Sequence, residues 1–556
     1  MKFNYKKGII SAFLISSLFS CGEKFLEHDN LTEQATTSYY RNAKEINEAL
    51  TAGYSCLTVN GGRNNATLIS TIMSDDCFGG GGPDDLDVQA MDNFQNNAED
   101  KYLEIWEVTY KGIFRVNTIL DRFEDAEFES VEIKNQLKGE AHFLRAFFYF
   151  RMAKLFGGVP LVTSPEPLNL PKASSEELYA QIASDMKLAI ELLPAQSFNQ
   201  ISVSTIGHAT KWAAEGLMAR IFLFYTGKYN KSALPLIDGG EITETQVKTW
   251  IDDCVKNSGH DLNDDFRNNW PYAYAKDDYT WANNNGLNWV DDALGNKEVV
   301  FSIKYSVFGA NDGTDALSYS NQMVLYMAMR GQGDACLPFG NGWGWGTVNP
   351  ELVAVYEDGD PRKDGSIIHV DNPEEEIADD YTWGQWDCYH ETGYWNKKYT
   401  PIIVNTVSED GSSAIKGMYY DIYGNPDDFQ TWNIQDEVVL RFSDVLLMAA
   451  ELGVDASANL NRVRSRVGLG TVDPSLENIK LERRRELAFE GVRYYDLLRW
   501  GDAGQAINSA NGMTVKNATV DTPYEISFRP ETNGFLPIPE SQIRLSAGVL
   551  TQNEGW

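Results

Sequence analysis

Six cysteines and six histidines in 556 residues leave little material for metal or redox chemistry, and none is spaced for it. No Cys-x-x-Cys pair or Cys/His alternation suggests zinc, and no His-Glu-x-x-His occurs. No Gly-x-Ser-x-Gly elbow marks a serine hydrolase. The run Gly79 to Gly82 lacks the Lys and Ser or Thr that a phosphate loop requires. No apolar stretch is long enough to cross a bilayer. Positive charge is scarce: 47 Lys and Arg face 80 Asp and Glu, a net charge of -33 at pH 7. Such a surface repels phosphate backbones and anionic headgroups, so nucleic acid and electrostatic membrane docking are disfavoured. Neutral ligands remain open. Hydrophobic residues at 43% and charged residues at 23% are globular values, and the length allows one to four domains.

The first residues set the compartment. Lys2, Lys6 and Lys7 precede a short apolar run, Gly8 to Phe19, which reads as a signal-peptide core. It ends in Leu18-Phe19-Ser20-Cys21, with a small residue before the cysteine. This resembles a lipobox, with Phe19 bulkier than usual, and implies cleavage before Cys21 and diacylglyceryl on its sulfur. The expected contact with the bilayer is this N-terminal lipid alone. Cys56, Cys77, Cys254, Cys336 and Cys388 then remain, an odd number, so at least one thiol stays unpaired. Cys56 with Cys77 is a pairing the sequence allows; no disulfide framework is expected.

Helical periodicity dominates the N-terminal half. Trp106, Tyr110, Ile113, Asn117 and Leu120 mark one helix face. A second helix over 134–156 stops at Gly157-Gly158, with Pro160 beyond. A third opens on a capping box, Ser174 to Glu177, and carries Leu178, Ile182, Met186, Ala189 and Leu193. A fourth lies between Gly207 and Gly227. Successive apolar stripes of this length predict a mainly α fold, a helical-repeat, tetratricopeptide-like scaffold. The middle is rich in Asn, Asp, Gly, Trp and Tyr, with strand-like runs such as 298–303. Long irregular stretches of this kind are usually functional. Helices return over 438–453 and 459–467, and a longer one spans Pro474 to Gly501, with Asp473 as N-cap. The expected organisation is a leader at 1–20, a helical region at 21–230, an irregular ligand-binding region at 231–435 and a C-terminal helical region at 436–556.

The densest stretch is Glu482-Arg483-Arg484-Arg485-Glu486-Leu487-Ala488-Phe489-Glu490-Gly491-Val492-Arg493, continuing through Tyr494-Tyr495-Asp496-Leu497-Leu498-Arg499-Trp500. Glu482 with Arg485, Glu490 with Arg493 and Asp496 with Arg499 are three-residue pairs. Alternating signs favour a salt-bridged, docked helix over an anion clamp. The segment resembles the C-terminal signature of the SusD/RagB family of nutrient-binding lipoproteins. Further blocks match in order: Trp106, Tyr110 and Arg115-Val116-Asn117; Gly139-Glu140-Ala141-His142-Phe143-Leu144-Arg145-Ala146 running into Leu155-Phe156-Gly157-Gly158-Val159-Pro160-Leu161; Val439 to Met448; Leu460 to Arg464; and Phe535 to Pro539 with Gln552 to Trp556. The resemblance implies a helical scaffold with an irregular binding region, placed over a SusC-like TonB-dependent transporter at the outer membrane. It also implies a binder rather than an enzyme. Composition alone does not exclude a glycosidase, because 80 acidic residues always offer some carboxylate pair.

Ligand contacts must then be argued from chemistry. Sugars present apolar faces that stack on aromatic rings and hydroxyls that need amides and carboxylates. The candidates are Trp270, Tyr272, Trp281, Trp289, Trp343 and Trp345, with Asp75 and Asp76 ahead of the glycine run as a rim. In Gly342-Trp343-Gly344-Trp345-Gly346 the glycines would let backbone approach a ligand; the other reading is a loop pinned to the core. Asp261, Asn263 and Asp265 imitate a calcium loop, but Phe266 stands where glycine is needed and Tyr272 where glutamate is. No metal or cofactor is expected. The leading expectation is an oligosaccharide ligand; a peptide or other non-sugar nutrient, a surface hydrolase, and a scaffold that only gates its transporter are the alternatives.

Overall fold

The computed structural model describes residues 39–556 except 59–64, 167, 203–204, 276, 292–294, 306–319, 332–333, 385–386, 408–410, 425–429 and 431–432. Cys21 and the leader lie outside the described residues. The N-terminal half is a helical stack: α1 (Ala43–Tyr54), α2 (Leu103–Arg122), α3 (Val131–Phe156), α4 (Ser175–Leu192), α5 (Lys211–Tyr229) and α6 (Glu244–Asn257). From α2 onward each helix packs on the next. The four expected stripes are these helices, and the Ser174/Glu177 capping box forms as read. Ser130 caps α3, whose interior is buried on nearly every face because α1, α2 and α4 surround it. Gly112 makes this crossing tight: a Cβ there would meet the Phe148 ring at 2.4 Å.

The resembling block on α3 is a set of clasps. Arg145 donates to Asp185 through Nε at 2.8 Å and Nη2 at 2.7 Å, and through Nη1 to Asn117 at 3.1 Å. His142 Nδ1 lies 2.7 Å from the same carboxylate. Burial opposes the charge on Asp185, but Arg145 and His142 outweigh it and hold its pKa low. Leu155 to Leu161 meets the C-terminal tail, where Asn553 Nδ2 donates to the carbonyls of Phe156 and Leu536.

The strands that matter are β1 (Cys77–Gly80), β2 (Val299–Ile303), β3 (Trp345–Val348), β4 (Ile403–Val407), β5 (Ser413–Gly417) and β6 (Glu437–Arg441). They form antiparallel pairs: β1 with β3, β2 with β6, and β4 with β5. The helix expected over 438–453 is therefore corrected. It begins as β6, because the alternating Val438 and Leu440 pair with Ser302 and Phe301, and only α7 (Phe442–Glu451) is helical.

After α8 (Ala456–Arg466), the single helix expected from Pro474 to Gly501 is two. Ser475 caps α9 (Leu476–Leu487), and α10 (Arg493–Trp500) follows a break where Phe489 takes φ 68° and Gly491 φ 71°. The break turns Glu490 away from Arg493, so that expected pair does not form. Glu490 instead accepts from Lys398 and Arg441, while Arg493 forks onto Asp75 at 2.7 and 2.8 Å. Asp496 with Arg499 does pair, at 2.8 Å. All five described cysteines are buried free thiols, so Cys56 and Cys77 are not bridged.

Candidate functional site

Most of the expected aromatic platform is interior. Trp270 and Trp345 are 1% exposed, Tyr272 is 0% and Trp281 5%, so no sugar face can reach these rings in this conformation. Their neighbours explain the burial. The Lys397 ammonium sits 3.7 Å from the Trp281 ring centroid, 5.2 Å from Tyr279 and 5.4 Å from Tyr272. Glu375 closes this cage at 2.8 Å. Next along the chain, Lys398 lies 4.9 Å from both Phe266 and Trp270 and donates to Glu490 at 2.8 Å. Ring faces replace water around a buried cation. Burial lowers the pKa of both lysines, Lys398 to about 8, despite their carboxylate partners.

The Gly-Trp-Gly segment serves a backbone crossing. A Cβ on Gly80, at φ 71°, would meet the Gly344 carbonyl at 2.2 Å, so β1 and the start of β3 approach as only glycine permits. Trp345 is fixed in β3 against Tyr326 at 4.4 Å. Trp343 is half-buried, edge-on to the same Tyr326 at 4.8 Å, and its carbonyl accepts from Arg330 at 3.1 Å. Asp75 and Asp76 are buried anchors for the signature helices: Arg493 holds Asp75, and Arg484 donates to Asp76 at 2.7 Å. Burial works against charge at Asp75, yet Arg493 and Arg484 hold its pKa down; at Asp76 burial prevails and its pKa is raised.

Trp289 is different. It is half-buried at the surface of the irregular middle, 6.2 Å from Tyr274 and 6.4 Å from Tyr419. Tyr419 stacks on Tyr423 at 6.4 Å with an interplanar angle of 12°. Tyr423 is 44% exposed and the neighbouring Tyr420 38%. Two phenols are held by carboxylates: Tyr274 donates to Asp421 at 2.5 Å and Tyr423 to Asp291 at 2.6 Å. Alongside, Asn405 donates through its side chain to Asp278 at 2.7 Å. The tyrosines were not among the sequence candidates. Tyr419 and Tyr423 stand four apart in Met418 to Tyr423, a helical spacing that places both rings on one face. Tyr274, Trp289 and Tyr423 offer part-exposed rings around the buried Tyr419, with carboxylates at their edge, suited to apolar C–H faces rimmed by hydroxyls.

Metal chemistry finds no cluster of three or more His, Cys, Asp or Glu among the described residues. The calcium-like trio is spent elsewhere: Asp261 pairs with Arg462, Asn263 with Asn269 and Asn296, and Asp265 with Arg267. No described helix is long and apolar enough to cross a membrane.

Fold and surface together define a helical scaffold that displays an irregular, aromatic-bearing loop region. Comparison with known proteins agrees: residues 24–223 match a family model described as starch-binding, associating with outer membrane, and residues 297–556 match the model of the SusD family. The chain belongs to the SusD family. The SusD-like protein P25 of Formosa agariphila is 23% identical over 589 residues, spanning 98% of this chain and 97% of that one. Surface glycan-binding protein A from Bacteroides fluxus superposes with a TM-score of 0.72 at 24% identity, over 93% of this chain and 100% of its own. Its namesake from Bacteroides thetaiotaomicron, in complex with laminarihexaose, gives 0.70 at 21% identity over 92% and 99%.

Proposed function

We propose that the protein is a surface glycan-binding lipoprotein that holds an oligosaccharide against the Trp289 surface and passes it to a SusC-like TonB-dependent transporter. Lipid on Cys21 tethers it to the outer membrane. The observation that carries this reading is the run Tyr274, Trp289, Tyr419, Tyr423, with two phenols held by Asp421 and Asp291. Rings with carboxylates at their edges suit a polyhydroxylated ligand better than a peptide, which needs apolar pockets without polar neighbours. Family membership and relatives named for glycan binding support the same class. The mechanism is capture without bond cleavage: stacking removes apolar ring and sugar faces from water, and Asp and Asn side chains replace hydration at the hydroxyls. Trp343 offers a second ring at the surface.

Calorimetric titration against laminari-, malto- and xylo-oligosaccharides tests this. One series should bind, and Trp289→Ala should weaken it by about 1–3 kcal/mol, the size of burying one large apolar side chain. Turnover of any of these sugars by the purified protein, abolished by one Asp or Glu replacement, would refute the binder reading.

A further inference from the structure

A second concavity lies apart from the Trp289 ring cluster. It occupies about 590 Å³ between the end of α1, the face of α2 around Lys111 and Arg115, the loop at His208, and β2. That volume is within the usual range for a small-ligand site. Its lining reverses the sign of the chain. Among the described residues, Lys111, Arg115, His208 and Lys304 line it against one carboxylate, Glu104. In a protein of net charge -33, such a concentration of cations requires an explanation.

Many cations of this fold are paired with carboxylates. Here two are not. Arg115 donates to the Ala52 carbonyl, Ser55 and Cys56, and pairs with no acid; Lys111, one helical turn away, has no ion pair among the described residues. His208 is aimed by its other nitrogen. Nδ1 lies 2.8 Å from the fully buried Glu140, which also accepts from Tyr54 at 2.9 Å. The Glu140 bond raises the His208 pKa, while Nε2 is left without a partner among the described residues. Lys304 pairs with Asp436, set back on the strand connection. Between the cations stand hydroxyls, Thr51, Ser55 and Ser302, with apolar Val108 and Ile206. Donors, hydroxyls and a small apolar floor fit an acidic sugar.

We propose that this cavity is a second binding site, specific for an anionic saccharide bearing carboxylate or sulfate, with Lys111, Arg115 and His208 Nε2 contacting the charged group. It is separate from the Trp289 surface and does not depend on that assignment.

The probes are trigalacturonate, a sulfated trisaccharide, neutral maltotriose and the peptide triglutamate, each titrated into the full chain. At least one acidic sugar should bind tenfold or more tightly than maltotriose. Lys111→Glu should abolish that preference with melting temperature unchanged, because Lys111 is exposed and makes no ion pair among the described residues. Trp289→Ala should leave the affinity for the acidic sugar intact. The proposal is overturned if neither acidic sugar outbinds maltotriose, if Lys111→Glu does not weaken the binding, or if triglutamate binds equally well. Failure of the Trp289 platform would appear separately, as neutral-glycan binding indifferent to Trp289→Ala.

Discussion

Replacing Trp281 and replacing Trp289 should have opposite consequences, although the two indoles lie eight residues apart in a stretch the sequence treats as uniform. Trp281 is 5% exposed and forms the nearest wall of the Lys397 cage at 3.7 Å. Trp281→Ala removes a buried ring, worth about 3–5 kcal/mol, and leaves an ammonium facing a void. Unfolding entropy near 2.1 cal/mol/K per residue gives roughly 1 kcal/mol/K for a chain of this size, so the melting temperature should fall by about 3–5 °C. Glycan affinity of the folded protein should not change. Trp289→Ala should do the reverse: affinity falls by about 1–3 kcal/mol, and the melting temperature moves by less than about 1 °C. Differential scanning calorimetry and titration calorimetry on both variants give four numbers. Unchanged melting in Trp281→Ala, coupled to weakened sugar binding, would refute the cage argument and return that ring to the ligand.

Three further expectations follow from the buried charges and the leader. Arg441 is fully buried and donates to Glu298, Glu486 and Glu490, so Arg441→Met should cost about 3–5 kcal/mol by leaving three buried carboxylates to share Arg362, Arg466 and Lys398, read by urea unfolding. Lys398 titrates near 8 when folded against 10.5 as its ordinary value, so between those pH values the unfolded chain holds more protons and stability should rise with pH. Tyrosines with raised pKa reverse the trend above about 10. Relative to Lys398→Met, the native protein should therefore gain about 2 kcal/mol between pH 8 and 10, and a flat difference would show the lysine is not desolvated. Cys21→Ala should move the protein from the membrane to the soluble fraction in cells lacking the transporter; persistence on the membrane would remove the lipid anchor.

What the sequence conveyed well is what local chemistry decides. The stripes of α2 to α5 and the Ser174/Glu177 box were legible because helix faces and caps depend on residues within one or two turns. What it conveyed poorly is whatever depends on a partner far along the chain. Trp270 and Trp281 read as exposed sugar platforms because their cations, Lys398 and Lys397, lie more than a hundred residues downstream. Asp75 and Asp76 read as a loop rim because Arg484 and Arg493 come from the opposite end. The start of β6 was taken for helix because Val439-Leu440 continues the apolar pattern of α7, and only pairing with β2 separates them. Tyr419 and Tyr423 stand at helical spacing, but Trp289, whose ring lies 6.4 Å from Tyr419, is more than a hundred residues upstream, so their cluster is not local.

The aromatic residues of the middle are thus sorted by neighbour rather than by type. Trp281 and Trp270 carry a lysine on one face and are buried on the rest, so they solvate that lysine and are closed to a ligand. Tyr423, held from the side by Asp291, stays 44% exposed, and the half-buried Trp289 belongs to the same ring cluster. The same accounting applies to cations. Arg362, Arg441, Arg466 and Arg483 are buried with their acids and contribute almost nothing to the outer field. Lys111 and Arg115, by contrast, make no ion pair among the described residues and line a cavity. Arg115 is oriented by Ala52, Ser55 and Cys56, whereas the exposed Lys111 gains little stability from its position, so its placement is better explained by something that arrives from outside.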